Sequence, residues 1–357
     1  MNRRSALQTL GLGAAAGSLS MAGCLDRFTA TPVVLGIYPG EDWGRIDPFE
    51  RWLGRGFAVT THYVDAAIPD DSRRQFVSEE MTTQWERGRV PMVTWQPFPR
   101  ESTTGSVTRA IAAGSYDDLL SAWGEDLARW VSDGSGDRMF YFRPFPEMNG
   151  DWIPWGADAT TIDDFVAAWR RLHGTVAETG LTDEQVQWVW NPNATEHGSH
   201  DTESYYPGDE YVDWIGIDGY NFGDSRDGSR WQSPESVFDP MFERLTDLAE
   251  KPLTLPEFGT TSYRDGRYRP AQKAAWIDDA FDYIERRGIR MACWFNIDKE
   301  TDWAVFDGER GTDSYADGDS RTYDVYGTYR ERATTDRYVT SEGDTPIPTD
   351  AFRGRLD

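Results

Sequence analysis

Eight short apolar runs, separated by stretches of helical period, constrain this chain more than any other feature. They fall at residues 33–38, 57–64, 90–95, 139–142, 186–190, 212–218, 252–256 and 289–295. Most are rich in β-branched and aromatic residues, which favour strands. The clearest helical pattern between them covers 161–178, where Ile162, Phe165, Val166, Trp169, Leu172 and Val176 share one face. Thr161 can cap it and Gly180 can stop it. A second pattern covers 270–287, with Ala274, Ile277, Phe281 and Ile284 on one face and Gly288 at the end. Two shorter ones cover 121–131 and 237–250. Strands alternating with helices eight times predict an α/β fold, a (β/α)8 TIM barrel in a single domain over 32–340. Residues 302–320 read as a long acidic loop, 323–337 as the last helix and 341–357 as a C-terminal tail.

The charge excludes several partners. The chain has 61 acidic and 36 basic residues, a formal net charge of -25. Such a polyanion repels nucleic acid and anionic lipid. Only Lys251, Lys273 and Lys299 are lysines, and mean hydropathy is -0.65. That balance points to a halophilic protein, kept soluble in high salt by hydrated carboxylates; an ordinary acidic secreted protein is the alternative. The first 23 residues read as a Tat-type leader: Arg3 and Arg4 precede a short run rich in Gly and Ala. That run is too short for a good membrane span. Met21-Ala22-Gly23-Cys24 resembles a lipobox, which implies lipidation at Cys24, a tether over 24–31 and membrane attachment through that lipid alone. Export to the outer face of the cell membrane, or secretion, is expected, as a monomer. Cys293, the other cysteine, lies in an apolar run and reads as a buried thiol.

In a barrel of parallel strands, chemistry gathers at the strands' C-terminal ends. There the sequence offers Tyr38, Trp95 and Gln96, Arg143 and Glu147, Asn191 and Asn193, Asp218 and Tyr220, Glu257, then Trp294 and Asn296. The stretch around Glu147 reads YFRPFPEMNGDWIPWG. Pro144 and Pro146 break ladder pairing, so Glu147 stands where a strand stops. Trp152 and Trp155 follow, with faces suited to stacking on pyranose rings. Taken alone, Glu147 could equally be a surface glutamate beside core tryptophans. Glu257, at the end of the seventh strand, supplies a second carboxylate, although a structural carboxylate held by arginines would also fit there. Two carboxylates on one mouth suit retaining glycoside hydrolysis, with one as acid and the other as nucleophile. A non-catalytic carbohydrate-binding protein with the same cleft is the alternative.

Other polar clusters carry less. Ser199, His200 and Asp201 are adjacent, and a triad needs convergence from distant positions. His197 and His200 lack a third metal ligand, and His62 and His173 read as structural. The acidic residues of 307–319 lack an EF-hand pattern. No metal and no cofactor is expected.

Four motifs carry a family resemblance. Arg143 to Trp152 (RPFPEMNGDW) resembles the acid/base motif of glycoside hydrolase family 26, in clan A. Val212 to Tyr220 (VDWIGIDGY) resembles that family's sixth-strand motif. Pro256-Glu257-Phe258-Gly259 is similar to its nucleophile strand. Trp294 to Ile297, followed by Lys299 to Trp303, is similar to its final motif. The resemblance covers 32–338. It implies Glu147 as acid/base and Glu257 as nucleophile, with Arg143 and Tyr220 orienting the nucleophile. It also implies Trp152 and Trp294 in the sugar subsites, with Trp95, Trp155 and Asn191 as further substrate contacts. Endo-β-1,4-mannanase is the activity implied. Mixed-linkage β-1,3-1,4-glucanase and β-1,3-xylanase are alternatives within the family. Three features depart from the family pattern. Pro146 stands where a histidine is usual. The third strand ends Trp95-Gln96-Pro97 rather than with a histidine-bearing motif. Ile153-Pro154-Trp155 replaces a more aromatic stretch.

Overall fold

The computed structural model describes residues 31–100, 103, 105–134, 137–318 and 321–355. The leader, Cys24 and nearly all of the tether lie outside the described residues. Eight parallel strands form the barrel: β1 (Val33–Tyr38), β2 (Val59–Asp65), β3 (Val90–Gln96), β4 (Phe140–Pro144), β5 (Val186–Trp190), β6 (Trp214–Gly216), β7 (Leu253–Thr260) and β8 (Met291–Phe295). Each pairs with its sequence neighbours, and β8 pairs with β1 from Val34–Met291 to Tyr38–Phe295, which closes the ring. The fold is therefore a (β/α)8 barrel. Its helices include Ile46–Leu53, Asp117–Asp133, Ile162–Ala177, Pro234–Leu248 and Pro270–Arg287.

Strand residues alternate between two cores. Val34, Val59, Val90, Met92, Tyr141, Val189, Met291 and Cys293 point into the barrel. Leu35, Ile37, Val93, Trp95, Phe140, Phe142, Trp188, Trp190, Ala292 and Trp294 point outward to the helix layer. Both faces are buried, which is why the runs read as continuously apolar. Close approach sets one residue: a Cβ on Gly36 would meet Cys293 Sγ at 2.2 Å.

Two strands break the pattern, and both breaks serve the mouth. The sixth strand was expected over 212–218 but pairs only over Trp214–Gly216; after Ile217 and Asp218, Gly219–Asn221 pairs with the far end of β7. The seventh runs past the expected 252–256 to Thr260. Its register to β8 slips, with Leu255 opposite Ala292 but Phe258 opposite Trp294. That extra residue, a bulge beside Pro256, turns Glu257 inward from within the strand, not after its end.

The C-terminal part differs most from expectation. The predicted long loop contains a hairpin, Asp313–Asp317 with Arg321–Val325. The predicted last helix covers only Gly327–Ala333. Residues 341–355 are not a loose tail. Ile347, Ala351 and Phe352 are buried in the barrel-interior cluster, and Tyr141 Oη donates to the Phe352 carbonyl at 3.0 Å. Their neighbours Val34, Val90 and Met291 lie at strand starts, so this segment closes the barrel end opposite the mouth. Among the described residues no helix is long and apolar enough to cross a membrane.

Candidate active site

Arg143 is the hub of the barrel mouth. It is fully buried on β4, and every donor group of its guanidinium is used. Nε donates to Thr94 Oγ1 at 2.9 Å, and Nη1 to Asn191 Oδ1 at 2.9 Å and to both Asp218 oxygens at 3.3 Å. Nη2 donates to Glu257 Oε1 at 2.5 Å. Tyr220 Oη donates to the other oxygen, Oε2, at 2.8 Å. Glu257 is thus gripped on both oxygens and only 8% exposed. Asp218 is fully buried. Burial and the charge of Glu257 push it well above the usual carboxylate range, outweighing Arg143. Asp218 is therefore driven toward its protonated form.

Glu147 sits on the turn that Pro144 and Pro146 create. Phe145 and Glu147 both take positive φ, 50° and 58°. Non-glycine residues rarely do so. The turn is held by the Glu147 N–H donating to the Asn191 carbonyl at 2.7 Å and by the Trp155 indole N–H donating to the Pro146 carbonyl at 2.7 Å. Asn193 Nδ2 donates to Glu147 Oε1 at 2.5 Å, and Trp152 Nε1 to Oε2 at 2.9 Å. Burial and the charge of Glu257 raise Glu147 from 4.5 to about 7, against those two hydrogen bonds and Arg143, which favour the ionised form. One carboxyl is poised to hold a proton near neutrality, while its partner is bound to a guanidinium.

Both acids line one cleft of about 1410 Å3. That exceeds the usual range for a single small ligand, roughly 300–1,000 Å3, and suits several sugar rings. Tyr38, Tyr63, Trp152, Tyr220, Phe222, Phe295 and Trp303 are among its aromatic lining. Trp152 is 48% exposed, with His197 edge-on to it at 5.2 Å. Among the described residues, no group of three or more His, Cys, Asp or Glu side chains could hold a metal ion.

Three expected substrate contacts lie elsewhere, and a fourth, Trp155, is buried in the cleft wall. Trp95 and Trp294 alternate outward, pack in the helix layer and are fully buried. The Trp294 indole donates to the Trp303 carbonyl at 3.0 Å. Their inward neighbours Gln96 and Phe295 reach the cleft instead. Trp155 borders the cleft but is fully buried beneath Pro146, with no face free for a sugar. Asn191 is buried as a spacer between Arg143 and the Glu147 turn. Tyr63 is a site residue that sequence reasoning did not select, and Asn193 and Trp303, noted at a strand end and in a motif, were given no role there. Counting in twos along β2 from the inward Val59 reaches Tyr63.

The sequence profile of Glycosyl hydrolase family 26 matches residues 80–254. The chain is similar to this family over that stretch. The profile match includes Arg143, Glu147 and Tyr220 and ends three residues before Glu257. Similar proteins include Endoglucanase H of Acetivibrio thermocellus, 28% identical over 279 residues, 76% of this chain and 28% of the relative. Mannan endo-1,4-beta-mannosidase A and B of Caldalkalibacillus mannanilyticus is 31% identical over 209 residues, 54% of this chain and 38% of the relative. The chain thus spans well under half of either relative. Among solved structures, the catalytic domain of the family 26 endo-β-1,4-mannanase from Bacillus sp. JAMB-750 superposes with a TM-score of 0.62 at 20% identity, covering 87% of each chain. That likeness shows the shared barrel.

Proposed function

We propose that the protein is a retaining β-glycan hydrolase that cuts β-1,4-mannan internally. The observation that carries this reading is the pairing of a proton-holding Glu147, raised to about 7, with Glu257 gripped by Arg143 and Tyr220 in one cleft. In the first step Glu257 attacks the anomeric carbon as Glu147 gives its proton to the leaving glycosidic oxygen. The carbon–oxygen bond breaks and a glycosyl ester forms on Glu257. In the second step Glu147, now ionised, takes a proton from water, whose oxygen attacks the same carbon and releases Glu257. The two steps keep the anomeric configuration. Trp152 combines two roles, since its indole N–H holds Glu147 while its exposed face offers a stacking surface for a sugar ring.

The mannan assignment is supported by the mannosidase relatives. The match to Endoglucanase H, which covers more of this chain, favours a β-glucan as the second reading. Assay of β-mannan, mixed-linkage β-glucan and β-1,3-xylan in high salt decides between them. The expected result is reducing-end release from mannan with retained configuration, lost in both Glu147→Gln and Glu257→Gln. Release from glucan alone overturns the mannan assignment. No release from any of the three overturns the reading as stated and leaves a hydrolase of another polysaccharide or a carbohydrate-binding protein. Pro146, which cannot donate a hydrogen bond beside Glu147, is the feature that favours that last outcome.

Export and lipid attachment at Cys24 are part of the same proposal. A Cys24→Ser chain recovered in the soluble extracellular fraction, with wild type in the membrane fraction, is the expected result.

A further inference from the structure

Nearly all arginines among the described residues make an ion pair or a side-chain hydrogen bond. Five do neither: Arg226, Arg230, Arg267, Arg330 and Arg355. Three of these five sit on two interlocked loops at one rim of the cleft, 222–231 and 263–269. The Asp224 N–H donates to the Tyr263 carbonyl at 3.2 Å, and the Asp265 N–H to Asp224 Oδ2 at 2.6 Å. The Arg264 guanidinium lies over the Trp231 ring, 5.2 Å from its centroid. The two loops carry five arginines and three aspartates in a chain of net charge -25. They form a locally cationic rim on a polyanion.

Arg226 is the member that faces substrate. It lines the same cleft as Glu147 and Glu257. Its guanidinium carbon lies 3.4 Å from the Phe222 ring centroid. Phe222 in turn packs edge-on against Trp303 at 4.9 Å. A stacked guanidinium is held in orientation while its N–H edge stays open to a planar acceptor. Three carboxylates lie on these loops. Asp265 is bound to Arg269 at 2.8 Å and reaches Arg264 at 4.0 Å. Asp224 accepts from the Asp265 backbone. Asp227 shares the cleft wall with Arg226, yet no ion pair joins them.

We propose that this rim is a subsite for a carboxylate-bearing sugar, a uronic acid in the bound glycan, with Arg226 receiving the carboxylate. A guanidinium and a carboxylate match in a two-bond fork, a geometry that a hydroxyl cannot fill. Arg230 and Arg267 add attraction that offsets the acidic surface. This deepens the glycan-cleaving reading, and its test reads binding without turnover, so the two can fail separately.

Isothermal titration of the Glu257→Gln protein at fixed 0.5 M KCl compares mannotetraose with tetramannuronate, a β-1,4 chain with a C6 carboxylate on every ring. The expected result is at least about tenfold tighter binding of tetramannuronate. Adding Arg226→Gln collapses that ratio to about one, and Arg226→Lys restores part of it. Arg330→Gln removes the same charge from a helix that does not line the cleft and leaves the ratio as it was. Equal or weaker binding of tetramannuronate overturns the proposal, whether or not mannotetraose binds. A preference that survives Arg226→Gln overturns it as well. Failure of the hydrolase reading would show separately, as no sugar release by the wild-type protein.

Discussion

Glu147 is tuned by opposing contacts, and each can be removed singly. Burial and Glu257 favour its protonated form; Asn193, Trp152 and Arg143 favour the ionised form. In the proposed role of general acid it must carry a proton, so kcat/KM is expected to fall as pH rises through about 7. Asn193→Ala deletes a donor that stabilises the carboxylate, so the alkaline limb should move to higher pH, by roughly half a unit to one unit. Rate measurements across pH 5–9 check this; a limb that stays put or moves down would remove Asn193 from the tuning. Much of this residue-level picture was legible. Pro144 and Pro146 announced the turn that carries Glu147, and Arg143, Glu257 and Tyr220 were all expected at strand ends. Trp152 was legible as well, but the two strand tryptophans were not, because one step along a strand reverses the direction of a side chain. Trp95 and Trp294 look like mouth residues by position, and parity sends both to the helix layer. The inward Gln96 and Phe295 carry no comparable signal of chemistry.

Elements differed in legibility for a physical reason. Strands buried on both faces leave an unbroken apolar run, so all eight could be counted. The hairpin Asp313–Asp317 with Arg321–Val325 is mostly exposed and polar, so it resembled a loop. The segment after Thr340 looked like a tail because Ile347, Ala351 and Phe352 are scattered among turn residues. Their role becomes visible only when the barrel is closed, since they plug its lower end. Phe352 is fully buried against Tyr141, with ring centroids 4.7 Å apart. Phe352→Ala should therefore cost about 3 kcal/mol of stability, at the low end for a buried phenylalanine because the short segment that carries it can partly relax. A shift in the urea midpoint measures it. The turnover number of the folded protein should stay within about twofold, because the cleft is at the other end. A neutral substitution would mean that this segment lies on the barrel without holding it together.

At the scale of the whole molecule, two electrostatic effects pull in opposite directions as salt is added. The surface carries many arginine–carboxylate pairs, such as Arg87–Asp47, Arg171–Asp117 and Arg286–Glu235, and salt weakens them. Exposed pairs of this kind contribute only about 0–1 kcal/mol each, and many contribute nothing. Against them stands an excess of acid that leaves a net charge of -25. Its self-repulsion acts between carboxylates over distances that shrink from about 10 Å at 0.1 M salt to about 3 Å at 1 M. Pairs in direct contact are screened less than repulsions across the surface, so screening removes more repulsion than attraction. The midpoint of thermal unfolding should therefore rise by several degrees between 0.1 and 1 M KCl and then flatten once the Debye length falls below the spacing of neighbouring carboxylates. Calorimetry in a KCl series measures this directly. A midpoint that falls with salt would mean that the ion pairs outweigh the net charge, and the acid excess would then need a different explanation from life in brine.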